Sequence, residues 1–511
     1  MNRFVDYLCQ GKRWIIYTDL MHKGCFPTLG NESWVGSERL KNFNVRQDGS
    51  IKIRMLISAA VALVVVSICA QEDSRRGVKE VLNDLRVADF WFYENFDDGL
   101  KEAAKSNRPL LVTIRCVPCK ACAGMDKQVV NPTDPELLEL MKRFVCVRIV
   151  QVYGLDLSLF QYDMNMSWAA FFLNADKSVY GRYGTRAAQR NEAAITVSGF
   201  KKALRGALDL HQNYLSDPAL VQDSIRAKLN QETPWSTPES IRPIQRTMRW
   251  GKPLGLLTGK ESTSCIHCHF VPAGKMMSLM SQGSPITDSM LWSFPLPETV
   301  GLMLDPAEKA MVQKVRHDSP AGRSGFRIGD RILFMDGQAI LSIADVQWVL
   351  HGAEDSDRVE VRIHRSGLQS DLILDLPSGW RRKGRFDDRA SSWDFFKVKI
   401  LGIGQMTSLP LQKRKFLGLG ENRMALRIDK LTPSWGGMNG DARKVGLKEL
   451  DIIVEVDGRI DIGNFSELLA YLVQEKKSGD QLNLTVLRKD RQLDVELPLN
   501  WEKRIQALRS P

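Results

Sequence analysis

Nine cysteines occur in the chain, and the six downstream of residue 70 are not spread evenly: Cys116, Cys119 and Cys122 crowd together, Cys265 and Cys268 form a second group, and Cys146 stands alone. Structural disulfides of secreted domains usually staple distant segments, so tight groups point to redox or cofactor chemistry instead. In Cys116-Val117-Pro118-Cys119 the two-residue gap lets both sulfurs meet in a small ring. The motif follows an apolar run at 110–114 and opens a segment that reads as helix through Lys127. A helix N-terminus favours the thiolate, because its unpaired N–H groups and dipole stabilise negative charge. Cys122, one helical turn further on, could resolve Cys119 or join a metal site. Thiol–disulfide exchange, a structural cluster and metal binding all remain open here.

The second group, Cys265-Ile266-His267-Cys268-His269, has the pattern of covalent c-type haem attachment. Both thiols would add to the haem vinyls, and His269 would ligate the iron. Met276, Met277, Met280 or Met290 could supply a sixth ligand, though methionine more often fills core gaps. Zinc is a rival, since Cys265, His267, Cys268 and His269 offer nitrogen and sulfur donors in a short span. Histidines on both sides of one cysteine make a cramped tetrahedron, however, and a plain disulfide or free thiols is the third alternative. His211, His317, His351 and His364 are isolated and read as surface or capping residues.

The elements that must position these groups alternate. Residues 75–106 read as helical, 110–114 as a strand, 135–143 as a helix, 144–150 as a buried strand, 169–173 and 179–180 as a strand pair across a turn, and 197–215 as a final helix. Such alternation implies a layered α/β domain. Residues 216–295 show little periodicity and read as a helical connector carrying the second cysteine group. From there the chain repeats itself. Gly325-Phe326-Arg327-Ile328-Gly329-Asp330-Arg331-Ile332-Leu333 with Asp336-Gly337 returns as Gly446-Leu447-Lys448-Glu449-Leu450-Asp451-Ile452-Ile453-Val454 with Asp457-Gly458, at a constant shift of 121. Leu374-Asp375-Leu376-Pro377 returns at the same shift as Val495-Glu496-Leu497-Pro498, so two related units are present. The Asp-Gly pairs predict tight hairpin turns. Alternating apolar residues, Leu333 and Met335 in one unit and Val454 and Val456 in the other, predict one strand face in the core.

Ser319-Pro320-Ala321-Gly322 leading into GFRIGDRILFMDG resembles the PDZ family, and Thr432-Pro433 leading into GLKELDIIVEVDG resembles it with longer early loops. The resemblance implies modules that take an extended peptide as an added strand and hold its terminal carboxylate on backbone N–H groups. Val300-Gly301-Leu302-Met303 is the candidate carboxylate loop of the first unit, and Leu401-Gly402-Ile403-Gly404 that of the second. Grooves closed, or used for domain docking, are the alternative. Exported proteins with such modules often carry a serine protease, but no Gly-x-Ser-Gly-Gly segment precedes them.

The strand order around Cys116 and Cys119 resembles the thioredoxin family, which implies Cys116 as attacking thiol and Cys119 as resolving thiol. Two features depart from it. Arg115 stands where the family has tryptophan, and Ser167 or Trp168 stands where it has a proline beside the active site. With RCVPCKAC, CIHCH followed by SFPLPETVGL, and Trp380-Arg381-Arg382, the chain resembles the exported, planctomycete-type thioredoxin/PDZ domain (seleno)proteins over about 80–505. In that family selenocysteine can replace a thiol of the first group, which implies redox chemistry there.

Composition sets the frame. With 511 residues the chain exceeds a single core. Its 43% hydrophobic and 26% charged residues are those of a folded protein, and its net charge of +11 is dispersed among acids rather than gathered into a nucleic-acid patch. The one compact basic cluster, Arg381-Arg382-Lys383-Gly384-Arg385, reads as a solvated linker. An uncharged run at 55–70 after Lys52 and Arg54 has the order of a secretory signal, with an uncleaved anchor as second choice. The expected organisation is a poorly structured N-terminal extension at 1–54 (either a cytoplasmic tail or upstream of a true start near Ile51 or Met55), a signal or anchor at 55–70, a thioredoxin-like domain at 85–215, a connector at 216–295, PDZ-like units at 296–380 and 401–501, and a linker at 381–400. The fold class is multidomain α/β and α+β. The expected activity is thiol–disulfide exchange outside the cytoplasm, with peptide segments or C-termini of envelope proteins as partners; a non-enzymatic envelope adaptor is the alternative. No Walker loop, dinucleotide fingerprint or HExxH motif occurs.

Overall fold

The computed structural model describes residues 78–80, 82–117, 123–184, 195–229, 233–241, 268–387, 395–432, 441–489 and 491–502. The N-terminal extension and the apolar run at 55–70 lie outside them, as do Cys119, Cys122, Cys265 and His267. Asp84–Pro511 is one compact unit built on three sheets.

The first sheet comprises β1 (Phe92–Tyr93), β2 (Leu110–Arg115), β3 (Val145–Ile149), β4 (Trp168–Leu173) and β5 (Val179–Tyr183) in the order β1-β3-β2-β4-β5. β1, β3 and β2 run parallel, while β4 and β5 are antiparallel additions. Period-two alternation divides β2 between two cores. Leu110, Val112 and Ile114 enter one apolar cluster, and Leu111 enters the other. Helices α1 (Phe96–Ser106), α2 (Ala123–Val130), α3 (Pro135–Lys142) and α4 (Val197–Ser216) surround the sheet. The N-caps are chemically explicit: Asn95, Asp134 and Thr196 side chains accept from the N–H groups of Asp98, Leu137 and Gly199. The helix expected over 75–106 is thereby shortened at its start. Glu94 takes φ 51°, a left-handed conformation that breaks a helix, and of residues 82–106 only Phe96–Ser106 is helical, with 78–80 a separate helical stretch and Phe92–Tyr93 a strand.

Next come α5 (Ala219–Arg226), α6 (Phe270–Gln282) and α7 (Asp288–Leu291). The second sheet holds β6 (Leu302–Asp305), β7 (Met311–Val315), β8 (Arg331–Met335), β10 (Asp357–Arg365) and β11 (Leu368–Leu376) in the order β11-β10-β8-β7-β6, with β9 (Gln338–Ala339) on β8. Helices α8 (Pro320–Arg323) and α9 (Ile343–Gly352) accompany it. The third sheet runs β12-β13-β14-β15-β16: Ile403–Ser408, Leu426–Leu431, Ile452–Val456, Gln481–Arg488 and Arg491–Pro498, with α10 (Leu411–Phe416) and α11 (Phe465–Glu475). β8 and β14 keep the shift of 121, whereas Leu302 and Ile403 differ by 101, so the second copy carries 20 more residues before the shared core.

Both Asp-Gly pairs form the expected hairpin turns, with positive φ at Asp336 and Gly337 and at Asp457 and Gly458. A pair of ion bridges also repeats. Buried Asp330 accepts from Arg365 and from the N–H of Arg327, and buried Asp451 accepts in the same way from Arg488 and from the N–H of Lys448. In each copy the same arginine reaches back to the turn glycine, Gly325 or Gly446. That clamp is invisible in the sequence, because the arginines sit about 35 residues from their partners in an otherwise alternating strand.

The sheets are welded together. Asp345 on α9 holds Lys228 at 2.9 Å, and both side chains are fully buried. Lys228 also donates to the Ala339 carbonyl, and Arg182 of β5 lies 3.9 Å from the Trp348 ring of α9. Gly181, Gly199 and Gly206 of the first domain stand where a Cβ would meet Leu341, the Pro306 carbonyl and Lys309 of the second, so the approach depends on missing side chains. On the other side α6 gives Met276 and Met277 to the core of the third sheet. The basic cluster expected as a solvated linker is instead structural. Arg381 is buried over Trp380 and donates to the carbonyls of His351 and Ala353; Arg382 pairs with Asp288, and Arg385 with Asp387.

Candidate functional site

Cys116 follows β2 directly, on the side of the strand that carries Leu110, Val112 and Ile114. Its N–H donates to the Ser167 carbonyl at 2.9 Å, so Ser167 occupies the position beside the cysteine that spacing assigned to Ser167 or Trp168. Arg115 points to the opposite side. There Nη1 donates to the Ser167 carbonyl, and Nε lies 3.4 Å from Asp126. Arg115 belongs to a buried, charge-balanced set in which Arg148 bridges Asp84 and Asp126. Arg115 is thus buried beside Asp126, and its Nη1 shares the Ser167 carbonyl with the Cys116 N–H.

The same apolar cluster contains Cys268, at the start of α6, together with Tyr162 and Val271. Cys116 and Cys268 are both 3% exposed. Tyr162 is buried in the same cluster, its hydroxyl within hydrogen-bonding reach of Cys268. Burial, then the neighbouring thiols of Cys268 and Cys116, push its pKa well up, so it stays protonated. Sequence separation had left the two cysteine groups as independent sites, and nothing local could have joined them. Cys146 is elsewhere: it enters the cluster on the other face of the sheet, and burial pushes its thiol up strongly.

Beside this group is a cavity of about 970 Å³, lined by Tyr162, Trp235, Val271, Lys275, Met276 and Met290 among others. Lys275 is brought down to about 8 by burial and lies 5.6 Å from the Trp235 ring. The cavity has room for a large cofactor, yet neither Cys268 nor His269 lines it. Cys268 is packed in the apolar cluster, and His269 lies edge-on to Phe270 with ring centroids 4.7 Å apart. Cys265, Ile266 and His267 of the same motif lie outside the described residues, so the expectation of haem or zinc there rests on the sequence. Met276 and Met277 are core residues of the third sheet. The isolated His211 is also buried, between the Tyr180 hydroxyl and the Asn107 carbonyl, rather than at the surface.

Of the candidate carboxylate-loop residues, Val300 and Leu302 are fully buried in the second sheet's core, and Met303 is 43% exposed. Gly301 has φ 90°, and its N–H already donates to the Glu298 carbonyl. β6, which follows this loop, is an edge strand of its sheet. In the third sheet β12 is the equivalent edge strand, preceded by Gly402 at φ 80°.

Comparison with known proteins agrees with this layout. The Thioredoxin-like family matches residues 91–175, and the PDZ domain family matches 289–376. The chain is 27% identical over 196 residues to a "Probable periplasmic serine endoprotease DegP-like" of Pseudomonas putida strain GB-1, covering 38% of each protein. It is 25% identical to a protein of the same name from Pseudomonas savastanoi pv. phaseolicola, covering 40% of each. The chain thus spans about two fifths of the length of these relatives. Among solved structures, HtrA-type protease AlgW with decapeptide matches at 15% identity and TM-score 0.18, over 29% of this chain and 50% of that one. Thioredoxin-like and PDZ domains are therefore present on one chain. No helix among the described residues is long and apolar enough to cross a membrane.

Proposed function

We propose that this is an exported thiol–disulfide exchange protein whose PDZ units present an extended peptide of a protein partner. The observation that carries the redox half is the placement of Cys116: at the C-terminal end of the central parallel strand, backbone-bonded to Ser167, in a Cys-x-x-Cys sequence that precedes α2. A cysteine held in this way can be attacked or attack in line with its in-motif partner Cys119. Cys122 then serves as a further resolving thiol. Repetition of the sheet order, the Asp-Gly turns and the arginine clamp in the third sheet supports a second PDZ unit over 401–501. Edge strands β6 and β12 would each accept a peptide by strand addition, the first beside Val300, Gly301, Leu302 and Met303. Location outside the cytoplasm is supported by the signal-like run at 55–70 and by the periplasmic description of the relatives.

Insulin reduction or dithiol titration with Cys116→Ala as control tests the redox half. Loss of exchange is expected, and unchanged exchange refutes it and leaves a non-enzymatic envelope adaptor. A pyridine haemochrome spectrum, after expression with a cytochrome c maturation system, tests the haem and zinc alternatives at Cys265 and Cys268. A reduced α-band is the result expected of haem, and bound zinc in its absence that of the metal site.

A further inference from the structure

We propose that Cys268 is the thiol partner of Cys116, so that the Cys265/Cys268 pair is a second dithiol in direct exchange with the Cys116/Cys119 pair. The inference rests on the redox reading above and deepens it. It stands on three observations: both cysteines enter one apolar cluster, both are 3% exposed, and the buried Tyr162 of that cluster is within hydrogen-bonding reach of Cys268 and electrostatic reach of Cys116. Two thiols 152 positions apart, packed on one side of a sheet against one phenol, form a pair that bulk solvent does not reach. A phenol O–H within reach of a buried sulfur makes a stronger hydrogen bond whenever that sulfur becomes a thiolate.

The exchange balances as follows. The Cys116 thiolate attacks Sγ of Cys268 in the Cys265–Cys268 disulfide; the Cys116–Cys268 bond forms, the Cys265–Cys268 bond breaks, and Cys265 leaves as a thiolate and takes up a proton. Cys119, having lost a proton, attacks Sγ of Cys116, and Cys268 leaves as a thiolate that is reprotonated. Two electrons have passed from the first pair to the second, and the first pair ends as a disulfide. Tyr162 is a positioning residue: its O–H donates to Cys268 as that sulfur leaves, and it remains protonated because burial and both thiols disfavour the phenolate.

The test uses the full chain carrying Cys119→Ser, Cys122→Ser and Cys265→Ser, oxidised with glutathione disulfide, blocked with N-ethylmaleimide and mapped by non-reducing tryptic mass spectrometry. A peptide pair joining Cys116 to Cys268 is expected as the main intramolecular link. Glutathione or maleimide on both cysteines, with no link, overturns the inference. If the triple variant fails to fold, the unsubstituted chain is mapped across a glutathione redox series, where Cys116–Cys268 must appear at intermediate potentials. Tyr162→Phe provides the second readout. Linkage should slow about tenfold, the effect of losing one hydrogen bond to a developing charge, with thermal stability unchanged or raised. If Cys116→Ala abolishes exchange but no Cys116–Cys268 link forms, this inference falls while the redox function stands. If Cys116→Ala changes nothing, both fall. A haemochrome α-band on the purified chain overturns the inference as well, because a thioether at Cys268 cannot exchange.

Discussion

Asp345→Asn probes what welds the thioredoxin-like domain to the first PDZ unit. Asp345 Oδ1 accepts from Lys228 Nζ at 2.9 Å and from the Arg182 N–H at 3.1 Å, and Oδ2 accepts from the Leu341 N–H at 3.0 Å. Lys228 is fully buried, and among the described residues its only other bond from Nζ is to the Ala339 carbonyl. Asparagine keeps the volume and an acceptor oxygen but removes the charge, leaving a buried ammonium with Arg182 nearby. Breaking a buried pair by deleting one partner costs about 3–5 kcal/mol, because the surviving charge is uncompensated. The backbone N–H groups of Arg182 and Leu341 keep one acceptor at most between them, which adds to the loss. Burial already lowers the Lys228 pKa while Asp345 opposes the shift, so without the carboxylate the folded-state pKa falls further. The unfolded chain then binds more protons than the folded one between that lowered value and 10.5, so the variant's stability must rise with pH in that window. Urea unfolding followed by tryptophan fluorescence measures this, since Trp168 and Trp348 are both buried. The Lys228→Met/Asp345→Leu double variant should recover most of the loss, because an apolar pair removes both desolvated charges. A loss under about 1 kcal/mol in Asp345→Asn, with no pH dependence, refutes the argument that the charge pair is what matters.

Gly199→Ala places a Cβ 2.1 Å from the Pro306 carbonyl, so docking of the first domain on the second should loosen, at a cost of about 1–3 kcal/mol and with faster proteolysis between them; an unchanged melting curve would contradict this. Arg365→Ala and Arg488→Ala each strand a buried aspartate, Asp330 or Asp451, and should destabilise the second and the third sheet respectively by about 2–4 kcal/mol, read as local loss of amide protection in hydrogen exchange. Lys275→Met should abolish a rise in stability between about pH 8 and 10.5: burial lowers the folded lysine to about 8, so the unfolded state holds the extra proton across that interval. Glu94→Gln should abolish the opposite trend. Burial raises the folded carboxyl from 4.5 to about 7, so Glu94 makes stability fall as pH climbs through that range, and chemical denaturation at several pH values checks both signs.

The order of elements around Cys116, the two Asp-Gly hairpins and the duplicated sheet were legible because each is written in local spacing. Apolar alternation sets a strand face, a positive-φ turn demands glycine or aspartate, and a repeat repeats. The Glu94 break at the start of α1 was not legible, since a left-handed residue there leaves no periodicity to see. The Arg381 cluster misled for a related reason: three basic residues in a row look solvated, and only Trp380 and the carbonyls of His351 and Ala353 convert one of them into a buried cap.

What the sequence by itself determined is which chemistry is available: thiols at Cys116 and Cys119, thiols at Cys265 and Cys268, and glycine-preceded strands in two copies. Which of these meet was decided only by the tertiary structure. Cys116, Tyr162 and Cys268 enter one apolar cluster, and Asp345 finds Lys228 117 positions away. Such meetings carry no local signature, because burying a charge or a thiol depends on the partner that long-range packing brings, and no spacing rule encodes that partner.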